Sequence, residues 1–479
     1  MRYFDIYQGW WAPLYEVMVT PASHNGNDTM LSEQDYNPPK AHKALGMSTL
    51  AFTVCFAVWT IFSIIGIKIK QDLGLSETEF GLLVATPVLT GSISRIFLGI
   101  WTERFGGRLV FTILMLATSV AVYLLSAVET YAMFLVAALG IGLAGGSFIV
   151  GIAYTSEWYD KKHQGTALGI FGAGNVGAAV TNFGAPFLVV ALGWQQTAVV
   201  YSAVLAGMAV LFWFLTENDP RLTKRASEGG ESMPLKEQLA PLAKLQVWRF
   251  SLYYFFVFGG FVALASWLPR YYVGAYDMSL GQAGMLAALY ALPASVFRAL
   301  GGWMSDKIGA RAVMYWTYGV SLLCLFILSY PETQYAVSGM KGPIEFSFGV
   351  PVAPFVLLTV ALGFFMSLGK AAVYKHIPVY YPDHVGSVGG LVGMIGGLGG
   401  FVLPITFGVM NDLTGVWTSC FMLLFLIVLV SFIWMHVAIL RMERRRHPEL
   451  SEGETSRYLP EIQLDYGQER GDQTGNKQT

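Results

Sequence analysis

Apolar positions in this chain come as long, nearly charge-free blocks rather than as a short alternation. About twelve such blocks reach the roughly 20 residues that a membrane-crossing helix needs. They span 44–67, 78–100, 109–128, 131–155, 166–191, 196–216, 250–273, 281–303, 312–330, 352–374, 386–410 and 416–440. Between the sixth and the seventh lies the polar stretch ENDPRLTKRASEGGESMPLKEQLAPLAKLQ. The expectation is an all-α integral membrane protein with two six-helix bundles, 44–216 and 250–441, joined by a linker at 217–249. A leading segment, 1–43, and a polar tail, 442–479, flank them.

Composition agrees. The chain is 54% hydrophobic and 13% charged, against about 25% charged in a soluble domain. A water-exposed globule could not hide so much apolar surface. The net charge of −1 says less than the placement of the charges. Lysine and arginine crowd the leading segment, the 2–3, 4–5, 6–7 and 8–9 connections and the tail RMERRRH, whereas the opposite loops hold few: Lys68, Lys70, Arg270 and Lys341. The positive-inside rule then predicts both termini in the cytoplasm, with the chain multi-pass in the cytoplasmic membrane. The opening YFDIYQGWWAPLYEVMV could lie in the membrane interface as an amphipathic helix, or equally be an unstructured lead-in. No cleavable signal peptide is recognisable. Cys55, Cys324 and Cys420 fall in apolar blocks without metal-ligand spacing and read as small core residues.

The chain repeats itself. SISRIFLGIWTERFGGR (92–108) aligns with SVFRALGGWMSDKIGAR (295–311), matching Ser92 with Ser295, Arg95 with Arg298 and Arg108 with Arg311. Glu103–Arg104 becomes Asp306–Lys307. The glycines allow a tight turn, and the flanking charges could latch helix ends in one conformation and release them in another. The half-chains are therefore parallel repeats about an axis along the membrane normal. This loop resembles the 2–3 signature of the major facilitator superfamily, and it occurs twice, which implies that fold.

Arg95 and Arg298 each lie inside an apolar block, a turn or two before its end. One arginine alone could snorkel to the headgroups; two at equivalent positions point to the axis between the bundles, where transporter substrates bind. No Asp or Glu occupies the middle of any block, so the substrate itself is the expected counter-charge. A planar guanidinium suits a flat oxyanion; trigonal nitrate or bent nitrite would fit between two of them.

A second paired feature is glycine-rich: FGAGNVG (171–177) in the fifth block, and GMIGGLGGFVLP (393–404) in the eleventh. Small residues let helices approach closely in lipid, and Asn175 offers an amide donor; Asn182 fits a helix–helix hydrogen bond better. Paired arginines with paired glycine helices resemble the nitrate/nitrite porter family, the NarK type. On that resemblance Gly172, Gly174 and Gly177, and Gly393, Gly396, Gly397, Gly399 and Gly400, are signature glycines. The resemblance further implies that Arg95 and Arg298 hold the anion, with Phe148, Tyr254 and Phe258 walling the site.

Moving an anion into a negative-inside cell costs about 2.3 kcal/mol per charge per 100 mV. Nitrate:proton symport or nitrate/nitrite exchange removes that cost. Symport needs a titrating group, and Lys370, Lys375, His376 and Glu157 are the candidates, Lys370 foremost. The segment around Lys370 resembles the proton-linked branch of the family, so symport is the leading expectation and antiport the alternative. A carrier of another small monovalent anion and a transport-derived sensor are weaker readings. No P-loop, metal cluster or nucleophile–base set is visible. The expectation is thus no enzyme, no cofactor and no nucleic-acid partner: a monomer among membrane lipids, driven by gradients.

Overall fold

The computed structural model describes residues 38–159, 161–218, 243–340, 342–381 and 385–446. Most of the leading segment, the linker and the tail lie outside these. Among the described residues, twelve helical rods follow in order: α1 (Pro38–Leu73), α2 (Glu77–Phe105), α3 (Gly107–Leu125), α4 (Tyr131–Ser156), α5 (161–192), α6 (Trp194–Leu215), α7 (Leu245–Tyr276), α8 (280–308), α9 (Ala310–Leu328), α10 (Val352–Tyr380), α11 (Val385–Thr414) and α12 (Ser419–Arg446). Ten of these are long and apolar enough to cross a membrane, and α8, bent by 40° between Val296 and Arg298, makes an eleventh. The remaining rod, α2, carries Glu77, Glu79 and Arg95.

The repeat extends to the helix ends. Ser76 caps α2 in a capping box with Glu79, and Ser279 caps α8 in one with Gln282. At the other ends, Gly106 and Gly309 turn the chain with φ of 87° and 85°, a backbone region that favours glycine. Both helices run about five residues beyond the apolar blocks read from sequence. Arg95 and Arg298 therefore lie about 15 Å inside their helix ends, nearly three turns rather than one or two.

An even number of rods brings both described ends to one face, the end face; the opposite one is the far face. The first six rods and the last six meet chiefly along α2–α11 and α5–α8. Toward the far face the halves are in backbone contact. A methyl on Gly81 would strike the Pro404 carbonyl, one on Gly408 the Glu77 carbonyl, and one on Gly284 the Asn182 carbonyl. Polar bonds reinforce that seam. Asp412 of α11 accepts from the Glu77 and Thr78 amides of α2, at 3.0 and 2.7 Å. Arg270 of α7 pairs with Glu77. Asn182 of α5 accepts from Ser63 of α1 and donates to the Ala265 carbonyl of α7 at 3.0 Å, the helix–helix bond expected of it.

The polar insertion between α9 and α10, which reads as a loop, is a β-hairpin. β1 (Thr333–Gly339) pairs antiparallel with β2 (Gly342–Phe348), and Tyr335 stacks on Phe346. The three cysteines are buried among core residues.

Candidate functional site

Apart from α1, which breaks at Thr60 and Ile61, four helices depart from α geometry, and each of these four departures abuts a residue of the candidate site. In α4 a 3-10 turn at Gly142–Gly146 precedes Phe148, and its Gly145 carbonyl faces Arg95 Nε at 3.4 Å. A 3-10 turn at Ala173–Val176 in α5 holds Asn175. The π turn Phe255–Gly260 in α7 holds Phe258 and follows Tyr254. The break in α8 falls at Phe297, beside Arg298. Irregular backbone at membrane depth is tolerated where it is buried in protein or lines a cavity, and π turns gather at functional sites.

Arg95 is buried, 7% exposed, and reaches across the seam to donate to the Gly393 carbonyl at 3.1 Å. Arg298 comes from the other half and has a buried Nη1 without a hydrogen-bond partner. Both guanidinium carbons lie 5.5 Å from the centre of the Phe148 ring. No more than twice that distance separates them. Phe258 lies 5.6 Å from Arg95 and stacks on Tyr254 with centroids 5.1 Å apart. Among the described residues no ion pair reaches either guanidinium. Asn175 is 1% exposed, and neither atom of its amide has a hydrogen-bond partner. Two cations and a buried amide thus present donor capacity that the protein leaves unused.

The signature glycines divide by what they touch. A methyl on Gly174 would meet Phe52 at 2.5 Å, and one on Gly177 the backbone of α1 at Thr53 and Ala57. One on Gly396 would strike the Tyr254 ring; one on Gly399 would lie 2.8 Å from the Phe255 carbonyl, and one on Gly400 2.9 Å from Val262. These five serve close packing. A methyl on Gly172 would lie 3.4 Å from the Arg298 side chain, one on Gly397 3.5 Å from Arg95 Nη1, and one on Gly393 2.7 Å from the Tyr374 hydroxyl.

The chain as a whole has relatives among known proteins. Residues 47–340 match the family model described as Major Facilitator Superfamily. A probable nitrate/nitrite antiporter NarK1 of Thermus thermophilus is 44% identical over 84% of this chain and 93% of its own. A probable nitrate/nitrite transporter NarK2 of Mycobacterium tuberculosis is 33% identical over 77% and 89%. The chain belongs to the nitrate/nitrite porters of the Major Facilitator Superfamily. Among solved structures, a bacterial homologue of the lysosomal transporter Spinster, in an inward-facing conformation, matches the porter with a TM-score of 0.63 at 16% identity, covering 84% of this chain and 97% of that one. That likeness bears on the fold alone.

Lys370 of the porter does not reach toward a headgroup. It is fully buried in α10, donates to the Ala294 carbonyl at 2.7 Å and lies 3.4 Å from the centre of the Phe261 ring. One turn further on, Tyr374 lies 5.6 Å from the Arg298 guanidinium, packs edge-on against Tyr254 and donates to the Gly389 carbonyl. Sequence reasoning missed Tyr374, although its spacing from Lys370 puts both on one helix face. His376 packs between Phe250 and Tyr380 further toward the end face, and Glu157 caps the last turn of α4.

The repeated loops tie into their own halves. Arg108 donates to the Trp213 carbonyl of α6 and covers the Trp213 ring at 4.2 Å. In the second half Arg311 donates to the Tyr380 hydroxyl, and Asp306 pairs with Lys375 of α10 at 2.6 Å. Arg104 and Lys307 lie over Phe105 and Trp303. The Glu103 side chain is outside the described residues.

Proposed function

We propose that the porter carries nitrate, and nitrite with it, across the cytoplasmic membrane by alternating access, with a proton as the coupling ion. The observation that carries this reading is the pair of guanidiniums, one from each half, flanking Phe148 with no ion pair to either among the described residues. An uncompensated buried charge costs several kcal/mol; an anion between the two halves offsets it and draws the halves together around itself. Planar forked donors favour a flat oxyanion, Asn175 adds an amide, and Phe148, Tyr254 and Phe258 exclude water. The halves then rock about this site, and Glu103, Arg104, Arg108, Asp306, Lys307 and Arg311 steady the helix ends in turn. Both chain ends face the cytoplasm on the lysine and arginine bias, and the porter works as a monomer.

Lys370 is the proposed proton carrier. Lysine, unlike arginine, can lose its proton inside a protein, and this one is buried one turn from the aromatic residue that covers Arg298. Glu157 and His376 are the further candidates. Exchange of nitrate for nitrite is the second reading. The name carried by the Thermus relative favours it, as does the cost of closing an unloaded site around two bare guanidiniums.

Uptake of nitrate into proteoliposomes separates the two. Under symport, uptake without internal nitrite follows an imposed inward proton gradient, and Lys370→Gln loses the response to the gradient. Under exchange, uptake needs internal nitrite and ignores the gradient in both proteins. Arg298→Lys abolishes uptake under either. Folded protein that moves nitrate under neither condition overturns the substrate assignment.

A further inference from the structure

The two halves differ at one matched position beside the arginines. Ser295 of α8 sends its hydroxyl back to the Ala291 carbonyl one turn earlier, at 2.7 Å. That is the usual resting place of a serine in a helix, and Thr86 and Thr102 on α2 use it too. Ser92, the partner of Ser295 in the repeat, does not. It is wholly buried, and its hydroxyl has no hydrogen-bond partner.

Its surroundings indicate what that hydroxyl is for. Ser92 precedes Arg95 by three positions, so the two side chains share a face of α2, with Ser92 one turn nearer the far face. Across the seam stands Gly397. A methyl there would come within 2.6 Å of Ser92 Oγ and 3.5 Å of Arg95 Nη1. Hydroxyl and guanidinium therefore converge on one strip of α11 that carries no side chain. A buried polar group without a partner is costly, and this one forgoes an acceptor that its twin uses.

We propose that Ser92 is a substrate-positioning residue: its hydroxyl donates to an oxygen of the anion held at Arg95. This rests on the nitrate reading above. A hydroxyl strengthens an oxyanion site without adding charge, so it can tighten binding without trapping the ion as a third fixed cation would. Because only one half leaves this hydroxyl free of an internal acceptor, the site is polar along the line between the two arginines, and a flat anion is held in one orientation rather than two.

The test is nitrate binding to the purified full-length porter in detergent, followed by calorimetry, alongside thermal unfolding without anion. Ser92→Ala is expected to weaken nitrate binding about tenfold, the loss of one hydrogen bond to a charged group, while the anion-free unfolding temperature holds or rises because an unsatisfied hydroxyl is gone. Ser92→Cys, which keeps the volume with a weaker donor, is expected to lose affinity likewise. Ser295→Ala should leave affinity unchanged. Affinity within twofold of the parent in Ser92→Ala overturns the proposal, and so does an equal loss in Ser295→Ala. If the parent binds nitrate and Arg298→Lys abolishes binding while Ser92→Ala does not, only the role of Ser92 fails. If the folded parent binds no nitrate, the substrate reading fails and takes this one with it.

Discussion

A guanidinium stays protonated inside a protein, so Arg95 and Arg298 cannot escape their burial by neutralising. That is why the repeat made them legible: a charge matched in both halves of an apolar chain has to answer to something outside the chain. Asn175 was legible for a weaker reason, as one polar residue in a glycine-rich block, and its isolation emerges only from the structure. Its buried amide predicts opposite effects for two substitutions. Asn175→Leu, similar in volume, removes unsatisfied polar atoms and should raise stability without anion by about 1 kcal/mol or more, while nitrate binding falls. Asn175→Asp sets a carboxylate beside the two cations; it should occupy the place of the anion and abolish binding. Thermal unfolding with and without nitrate checks both. Tyr374 stayed hidden because one more tyrosine in a chain that is 14% aromatic carries no signal until its ring is seen against Arg298.

At the level of elements, the twelve rods were readable because membrane crossing demands apolar length, and length survives any detail of packing. Their irregularities were not. Nothing in FFVFGG distinguishes a π turn from an α turn; that turn sits where Gly259 meets the carbonyl of Gly396 and the backbone of Gly399, a contact set by two helices far apart in sequence. The hairpin at 333–348 was missed for a different reason. Its alternation is short, and both of its strands are largely exposed, so no buried face marks it in the sequence. Glycines within one helix also differ in what they do. Gly177 and Gly184 both lie in α5, but a methyl on Gly177 runs into the backbone of α1, at 2.6 Å from the Ala57 nitrogen, whereas nothing stands within 4 Å of one on Gly184. Gly177→Ala should therefore destabilise by about 1–3 kcal/mol, and Gly184→Ala should be neutral or stabilise by about 0.5–1 kcal/mol. Reversible unfolding in mixed micelles compares them; equal effects would remove the packing role assigned to the first.

For the whole molecule, the seam toward the far face sets what must break for the site to open on that side. Its ties join residues hundreds of positions apart: Glu77 with Arg270, and Asp412 with the first amides of α2. No local pattern announces such pairs, and Arg270 had served only as one of the few cations in the opposite loops. Glu77 and Arg270 are each mostly buried, at 13% and 16% side-chain exposure, so solvent screens their attraction weakly. A hydrogen bond to a charged group contributes about 1.5–3 kcal/mol, which changes a two-state ratio by roughly 10–100-fold. Removing one tie should consequently move a measurable fraction of the porter to a state open at the far face, even without anion. Leu73 at the end of α1 and Leu413 at the end of α11 are exposed and belong to different halves, so nitroxide labels there can report the gap. In Asp412→Asn and in Glu77→Gln, a second and longer distance should appear in the label–label distribution beside the parent distance. Nitrate should then draw the population back if, as proposed, the anion sits between the arginines and holds the halves together. A single unchanged distance in both variants would mean that the backbone contacts at Gly81, Gly284 and Gly408 close the far face on their own, with the charged ties adding nothing to the balance.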